Sequence, residues 1–220
     1  MSFERATGKK INLKKIVRIK KNFELVTTIR KVRKYSAGIK TGEEHKVAPN
    51  LIKRNFKPAR NQILLSTDIT EFKLWNGQKA YLSATQNLGS KEVLNFRVSE
   101  RPTIDLVTTG FTELLSQMPK IERSKVIIHS DQGFHYTSFA FRKLLKDFKV
   151  KQSMSRKGNC LDNAPIESFF GHLKDEVEYK TCKNFKELKN KIHRYIYYYN
   201  NERPQWGLKQ KTPAEARVKL

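Results

Sequence analysis

The spacing of apolar residues changes along the chain, and each change predicts a different element. Ile63-Leu64-Leu65 opens a short apolar strand that runs to Asp68, and the segments 79–85 and 92–99 alternate, with Leu94, Phe96 and Val98 on one face. Trp75-Asn76-Gly77 has turn composition between the first two segments, so three antiparallel strands in a meander are predicted. Ile104, Val107, Phe111, Leu114, Leu115 and Met118 recur at three- and four-residue spacing and predict a helix that ends near Pro119. Val126-Ile127-Ile128 reads as a buried strand, and Phe141, Leu144, Leu145 and Phe148 as a second helix. After a short strand around Val150, a third helix begins near Asp162-Asn163, where Pro165 suits the first turn. Phe185, Leu188, Ile192, Tyr195, Ile196 and Tyr199 mark a fourth.

The order is therefore three strands, helix, strand, helix, short strand, helix, helix. A strand meander followed by α/β units fits an α/β fold of the ribonuclease H-like kind, a mixed five-stranded sheet flanked by helices; order alone also fits other mixed sheets.

Ahead of this pattern lies a different composition. Residues 1–60 carry 18 Lys/Arg against 4 Asp/Glu, a net charge of +14, and read as a basic arm. Within it, Leu13, Ile16 and Val17 form one apolar stripe behind Asn12 as N-cap, which predicts a short amphipathic helix; Lys34 to Asn61, with Gly38, Gly42, Pro49 and Pro58, reads as an extended linker. The expected organisation is a basic N-terminal arm over 1–60, an α/β core over 61–180 and a C-terminal helical segment of that core over 181–220.

The whole chain of 220 residues has 45 Lys+Arg against 21 Asp+Glu, a net of +24. That bias repels itself in a compact state unless an anionic partner screens it, and nucleic acid is the obvious partner. No apolar run approaches the roughly 20 residues of a spanning helix, and Met1-Ser2-Phe3-Glu4-Arg5 lacks a signal-peptide core, so a soluble cytoplasmic protein without a membrane partner is expected. Cys160 and Cys182 have neither a paired cysteine nor a histidine at finger spacing and read as free thiols.

Against this basic background three acids stand out by position. Asp68 ends the first apolar strand, Asp131 follows the buried strand just before Gly133, and Glu167 lies in the early turns of the third helix beside Phe169 and Phe170. Thirty-five residues separate Asp131 from Glu167, enough for a loop, a helix and a strand to bring the chain back. Each acid alone reads as a cap or a surface carboxylate; three at such positions in so basic a chain suggest a shared cation. Hard oxygen ligands without Cys or His select Mg²⁺ or Mn²⁺, and two such ions about 4 Å apart activate water or a 3′-hydroxyl at a phosphodiester. Lys174, seven residues beyond Glu167 and about 10 Å along the same helix face, reads first as an exposed lysine and second as a phosphate contact. His129 shares a strand face with Asp131 and reads first as a packed or exposed histidine; Asp162, His172 and His193 have no partner the sequence identifies.

These residues sit in recognisable phrases. Thr67-Asp68-Ile69-Thr70-Glu71-Phe72, His129-Ser130-Asp131-Gln132-Gly133 and the run from Ser155 to Phe170, with Tyr198-Tyr199-Asn200-Asn201-Glu202-Arg203-Pro204 and Thr212-Pro213-Ala214-Glu215, resemble the blocks of integrase-type insertion-sequence transposases, second-reading-frame products. The resemblance covers nearly the whole chain. It implies a retroviral-integrase-like core with Asp68, Asp131 and Glu167 as metal ligands, and DNA cleavage followed by strand transfer. It also implies a first-frame helix-turn-helix partner and a homo-oligomer acting on transposon ends and target DNA. Lys174, Arg156 and Lys157 are then the expected DNA contacts. A non-catalytic DNA-binding remnant of such a transposase is the alternative.

Overall fold

The run Ile63-Leu64-Leu65 has no polar face, and such a strand is stable only inside a sheet covered on both sides. The computed structural model, which describes residues 2–26, 46–59 and 61–217, puts it there. β1 (Ile63–Lys73), β2 (Lys79–Asn87), β3 (Val93–Ser99), β4 (Val126–Ser130) and β5 (Lys151–Met154) form one sheet in the order β3-β2-β1-β4-β5. The first three strands make the expected antiparallel meander, and β4 and β5 add in parallel on the other side of β1. The sheet is mixed and five-stranded, as the element order suggested.

β1 does not stop at Asp68. It continues to Lys73 because β2 pairs with it from Leu65 opposite Asn87 to Lys73 opposite Lys79, whereas β4 pairs with it only from Ile63 to Ser66. Asp68 therefore lies just beyond the point where β4 leaves β1.

Alternation along the strands sorts the core into two layers. Ile63 and Leu65 of β1, with Val126 and Ile128 of β4, pack under α3 (Ile104–Gln117) and α6 (Phe139–Asp147) through Phe111, Leu115 and Phe141. Phe72 of β1 and Leu82 and Ala84 of β2 pack on the other face under α7 (Ala164–Glu176) and α8 (Phe185–Asn201), which contribute Ile166, Phe169, Leu188 and Ile192. α3 comes close to β3 at Gly110, where a Cβ would stand 2.6 Å from Asn95 Oδ1. It ends before Pro119 as expected, and two one-turn helices, α4 (Lys120–Arg123) and α5 (Phe134–Thr137), flank β4.

The arm is described in part. α1 (Ser2–Thr7) precedes α2 (Leu13–Asn22), whose N-cap Asn12 accepts the Lys14 N–H at 2.9 Å. The apolar stripe of α2 remains uncovered by any described residue, with Leu13 73% and Val17 59% exposed. Residues 27–45, which include the start of the expected linker, and the side chain of Cys160 lie outside the described residues. Residues 46–59 carry no helix or strand but lie against the core: Ile52 is buried with Leu64, Leu88 and Ile127, and the Leu51 N–H donates to Ser153 Oγ at 2.9 Å. Cys182 is a buried free thiol. No helix among the described residues is long and apolar enough to cross a membrane.

Truncation at a fully buried ring removes contacts on every side, so Phe141→Ala is expected to cost about 3–5 kcal/mol. Val17→Ser on the uncovered stripe of α2 should stay within about 0.5 kcal/mol of the parent. Urea unfolding midpoints check both.

Candidate active site

Ser66 and Asp68 point to the same side of β1 as Phe72, and His129 and Asp131 follow Ile127 onto that side of β4; α7 covers it. The residue opposite Asp68 on β2 is Ala84, whose small side chain leaves room beside the carboxylate. Asp68 Oδ1 accepts the Ile69 N–H at 2.7 Å. Asp131 lies one residue past the end of β4, and its Oδ1 accepts the Gly133 N–H at 2.8 Å.

Gly133 answers to packing rather than to backbone conformation. Its φ is −59°, open to any residue. What the position lacks room for is a Cβ, which would stand 2.8 Å from Asp131 Oδ1. The carboxylate folds over the glycine.

Glu167 lies in the first turn of α7 and is exposed, and Lys174, half-buried on the same helix, reaches back over β1 with its ammonium 5.1 Å from the centre of the Phe72 ring. Electrostatics tie these groups together. Burial pushes the Asp68 carboxyl well above the usual range, and the charges of Asp131 and then Glu167 push it further; the Ile69 N–H and the Lys174 charge oppose them. Asp131 is also raised, mainly by burial, against the Gly133 N–H and His135. The charges of Asp131, Glu167 and Lys174 thus all act on the Asp68 carboxyl.

As they stand, no three carboxylate, imidazole or thiol groups among the described residues lie close enough to hold one metal ion together. The chemistry of the donor set nevertheless fits a hard divalent cation. Two desolvated carboxylates, with the charge of Asp131 raising the proton affinity of Asp68, carry a charge that a dication neutralises, and Glu167 brings a third through a long side chain.

Two neighbours escaped the sequence reading. Tyr136, 1% exposed, donates its hydroxyl toward Thr67 Oγ1 at 3.3 Å, and its phenol is pushed well up by burial and by the Asp68 charge. His135 bonds the Pro102 carbonyl through Nε2 at 2.7 Å; burial pushes its imidazole down and Asp131 draws it up. Their only signal in sequence was proximity to Asp131.

Arg156 and Lys157, expected at DNA, lie in the loop after β5. Lys157 is exposed. Arg156 has a protein partner: its Nε and Nη2 donate to the Asp162 carboxylate at 3.0 Å each, and its backbone N–H adds a third bond at 3.0 Å. Arg54 Nε at 2.8 Å and Asn50 Nδ2 at 3.1 Å complete the shell of this fully buried carboxylate. Chiefly through Arg156, the Asp162 carboxyl is held far below the usual range.

The two kinds of shift have opposite signs for stability. Asp162, depressed in the fold, contributes stability that is present above the ordinary carboxylate pKa of about 3.9 and is lost as pH falls below it. Asp68, raised in the fold, costs stability at neutral pH, and the cost is relieved as pH falls through its raised value. Asp68→Asn in metal-free buffer at pH 7 is therefore expected to raise the melting temperature by roughly 2–4 °C per kcal/mol relieved. Asp162→Asn should lower it and flatten the acid limb of the stability curve. Thermal melts from neutral pH into the acid range check both signs.

Residues 58–160 match the family model described as an integrase core domain, and residues 148–213 match a second model of the same description. The putative transposase InsK for insertion sequence element IS150 of Escherichia coli (strain K12) is 41% identical over 211 residues, 96% of this chain and 72% of that protein. An uncharacterized transposase-like protein of Haemophilus influenzae is 38% identical over 219 residues, 99% of this chain and 98% of the relative. Among solved structures, a chain of the simian T-cell lymphotropic virus intasome in complex with PP2A regulatory subunit B56 gamma aligns with a TM-score of 0.60 at 19% identity, over 80% of this chain and 61% of that one. The HTLV-2 integrase catalytic core domain in complex with magnesium aligns with a TM-score of 0.56, also at 19% identity, over 74% and 98%. At these identities the solved structures carry the fold alone, which is ribonuclease H-like.

Proposed function

This chain belongs to the insertion-sequence transposases that carry an integrase core domain, and on that premise we propose that it cleaves and rejoins DNA by Mg²⁺- or Mn²⁺-dependent phosphoryl transfer, with Asp68, Asp131 and Glu167 as metal ligands. What carries the reading is position: Asp68 on β1, Asp131 one residue past the end of the neighbouring β4, and Glu167 in the first turn of the helix packed on that face, so that both charges act on Asp68 in a chain of net charge +24.

Bound among these carboxylates, divalent ions supply the acidity that makes water or a 3′-hydroxyl nucleophilic and the charge that steadies the leaving oxygen. The chain's own residues orient the parts. The Ile69 and Gly133 N–H groups each hold one oxygen of Asp68 and Asp131, which leaves the second oxygen of each carboxylate for a cation. Lys174, fixed over Phe72 on the helix that carries Glu167, supplies positive charge for a phosphate beside the acids. Lys157, the exposed side of Arg156 and the basic arm extend that contact along the DNA backbone without reading sequence. We assign recognition of the transposon ends to a first-frame helix-turn-helix partner and place the chain in a homo-oligomer on DNA, in the cytoplasm at the nucleoid.

Asp131→Asn is expected to abolish metal-dependent nicking and strand transfer on a labelled duplex while leaving salt-sensitive DNA binding in place. Nicking at the parental rate would remove Asp131 from the chemistry. Gly133→Ala is expected to keep the fold, because the atom in its way is the mobile end of a side chain, and to slow cleavage by about 10²-fold through displacement of that carboxylate. Lys174→Ala should lower the slope of log affinity against log salt by about one.

A further inference from the structure

Asp162 and Asn163, the two residues that lead into α7, each make a buried hydrogen bond to the strand residue two positions before an aspartate. His129 Nε2 bonds the Asp162 carbonyl at 2.9 Å, two residues before Asp131. Ser66 Oγ donates to Asn163 Oδ1 at 2.9 Å, two residues before Asp68. All four residues are at most 2% exposed. Residues two apart on a strand share a face about 7 Å from one another, so each bond lies directly behind the acid on its strand.

The hydrogen-bond directions are fixed by the partners. A carbonyl only accepts, so Nε2 of His129 carries the proton and Nδ1 is left as an acceptor. Ser153 Oγ, which accepts the Leu51 N–H at 2.9 Å, then donates to that Nδ1 at 2.9 Å. Burial favours the same neutral imidazole.

Asn163 occupies the N-cap position of α7, yet its side chain caps nothing. The oxygen suited to a first-turn amide is engaged by Ser66, and Nδ2 is buried with no partner among the described residues. A forgone cap and an orphaned donor both weigh against the fold. What the arrangement provides is a link between α7 and the strand of Asp68.

We propose that Asn163 and His129 are positioning residues, a buried bracket that sets the height and rotation of α7 so that Glu167 faces Asp68 and Asp131. Glu167 is four residues beyond Asn163, in the first turn of the helix whose start the bracket fixes. The inference rests on the reading of the three carboxylates as a divalent-cation site.

The test is Mn²⁺ binding to the purified full chain by calorimetry, beside its metal-free melting temperature. Ser66→Ala and His129→Ala are expected to weaken Mn²⁺ binding about 10- to 100-fold. His129→Gln, whose amide N–H can stand in for Nε2–H toward the Asp162 carbonyl, should recover most of the affinity. A role in folding alone would lower the melting temperature and leave the Mn²⁺ affinity of all three folded variants at the parental value; that result overturns the bracket while the cation site stands. An unaltered chain that binds no Mn²⁺ overturns the cation site, and the bracket with it. Should His129→Ala fail to fold, Ser66→Ala, which removes a single oxygen, decides the matter alongside His129→Gln.

Discussion

β1 is shared by two neighbours of unequal length, and the geometry of the site depends on that inequality. β2 follows it to Lys73, but β4 leaves after Ser66. Beyond that point the β4 side of β1 has no strand to fill it, and Asp68 is the first residue of its face to project there. Asp131 comes off the end of the departing strand, and α7 closes over the gap with Glu167. Had β4 paired as far as β2 does, its backbone and side chains would occupy the space beside Asp68.

Much of this could be read from the chain because it depends on local pattern. The apolar run at Ile63, the alternation through Leu94, Phe96 and Val98, and the helical spacing of Phe111 and Leu115 each report a buried face directly. The extension of β1 past Asp68 was hidden because it comes from pairing with β2, and Thr70 and Glu71 carry little apolar signal of their own. Asp162 was opaque for a related reason. Its partners include Asn50 and Arg54, more than a hundred residues away, and a polar contact over that separation leaves no periodicity. Composition also cannot distinguish a cation offered to solvent from one pinned to a buried acid, which is why Arg156 first reads only as a DNA contact.

The site combines two opposite treatments of negative charge. Asp162 is surrounded by donors and stabilises its surroundings, whereas Asp68 and Asp131 keep one donated N–H each and repel. Carboxylates withdrawn from solvent thus differ in how completely the protein satisfies them, a difference that burial alone does not reveal.

The path of residues 46–59 sets where the basic arm begins in space. By sequence it precedes β1, whose first residue lies at the end of the sheet away from the acids. Yet Lys46 donates its N–H to the Thr137 carbonyl at the end of α5, the short helix that follows Asp131. The segment lies along β5, through Leu51 on Ser153 and Ala48 on Met154, so its first described residue stands beside the short helix that follows Asp131. A stretch that the order of the chain would put at the far end of the sheet thus has its first described residue on the carboxylates' side of the molecule.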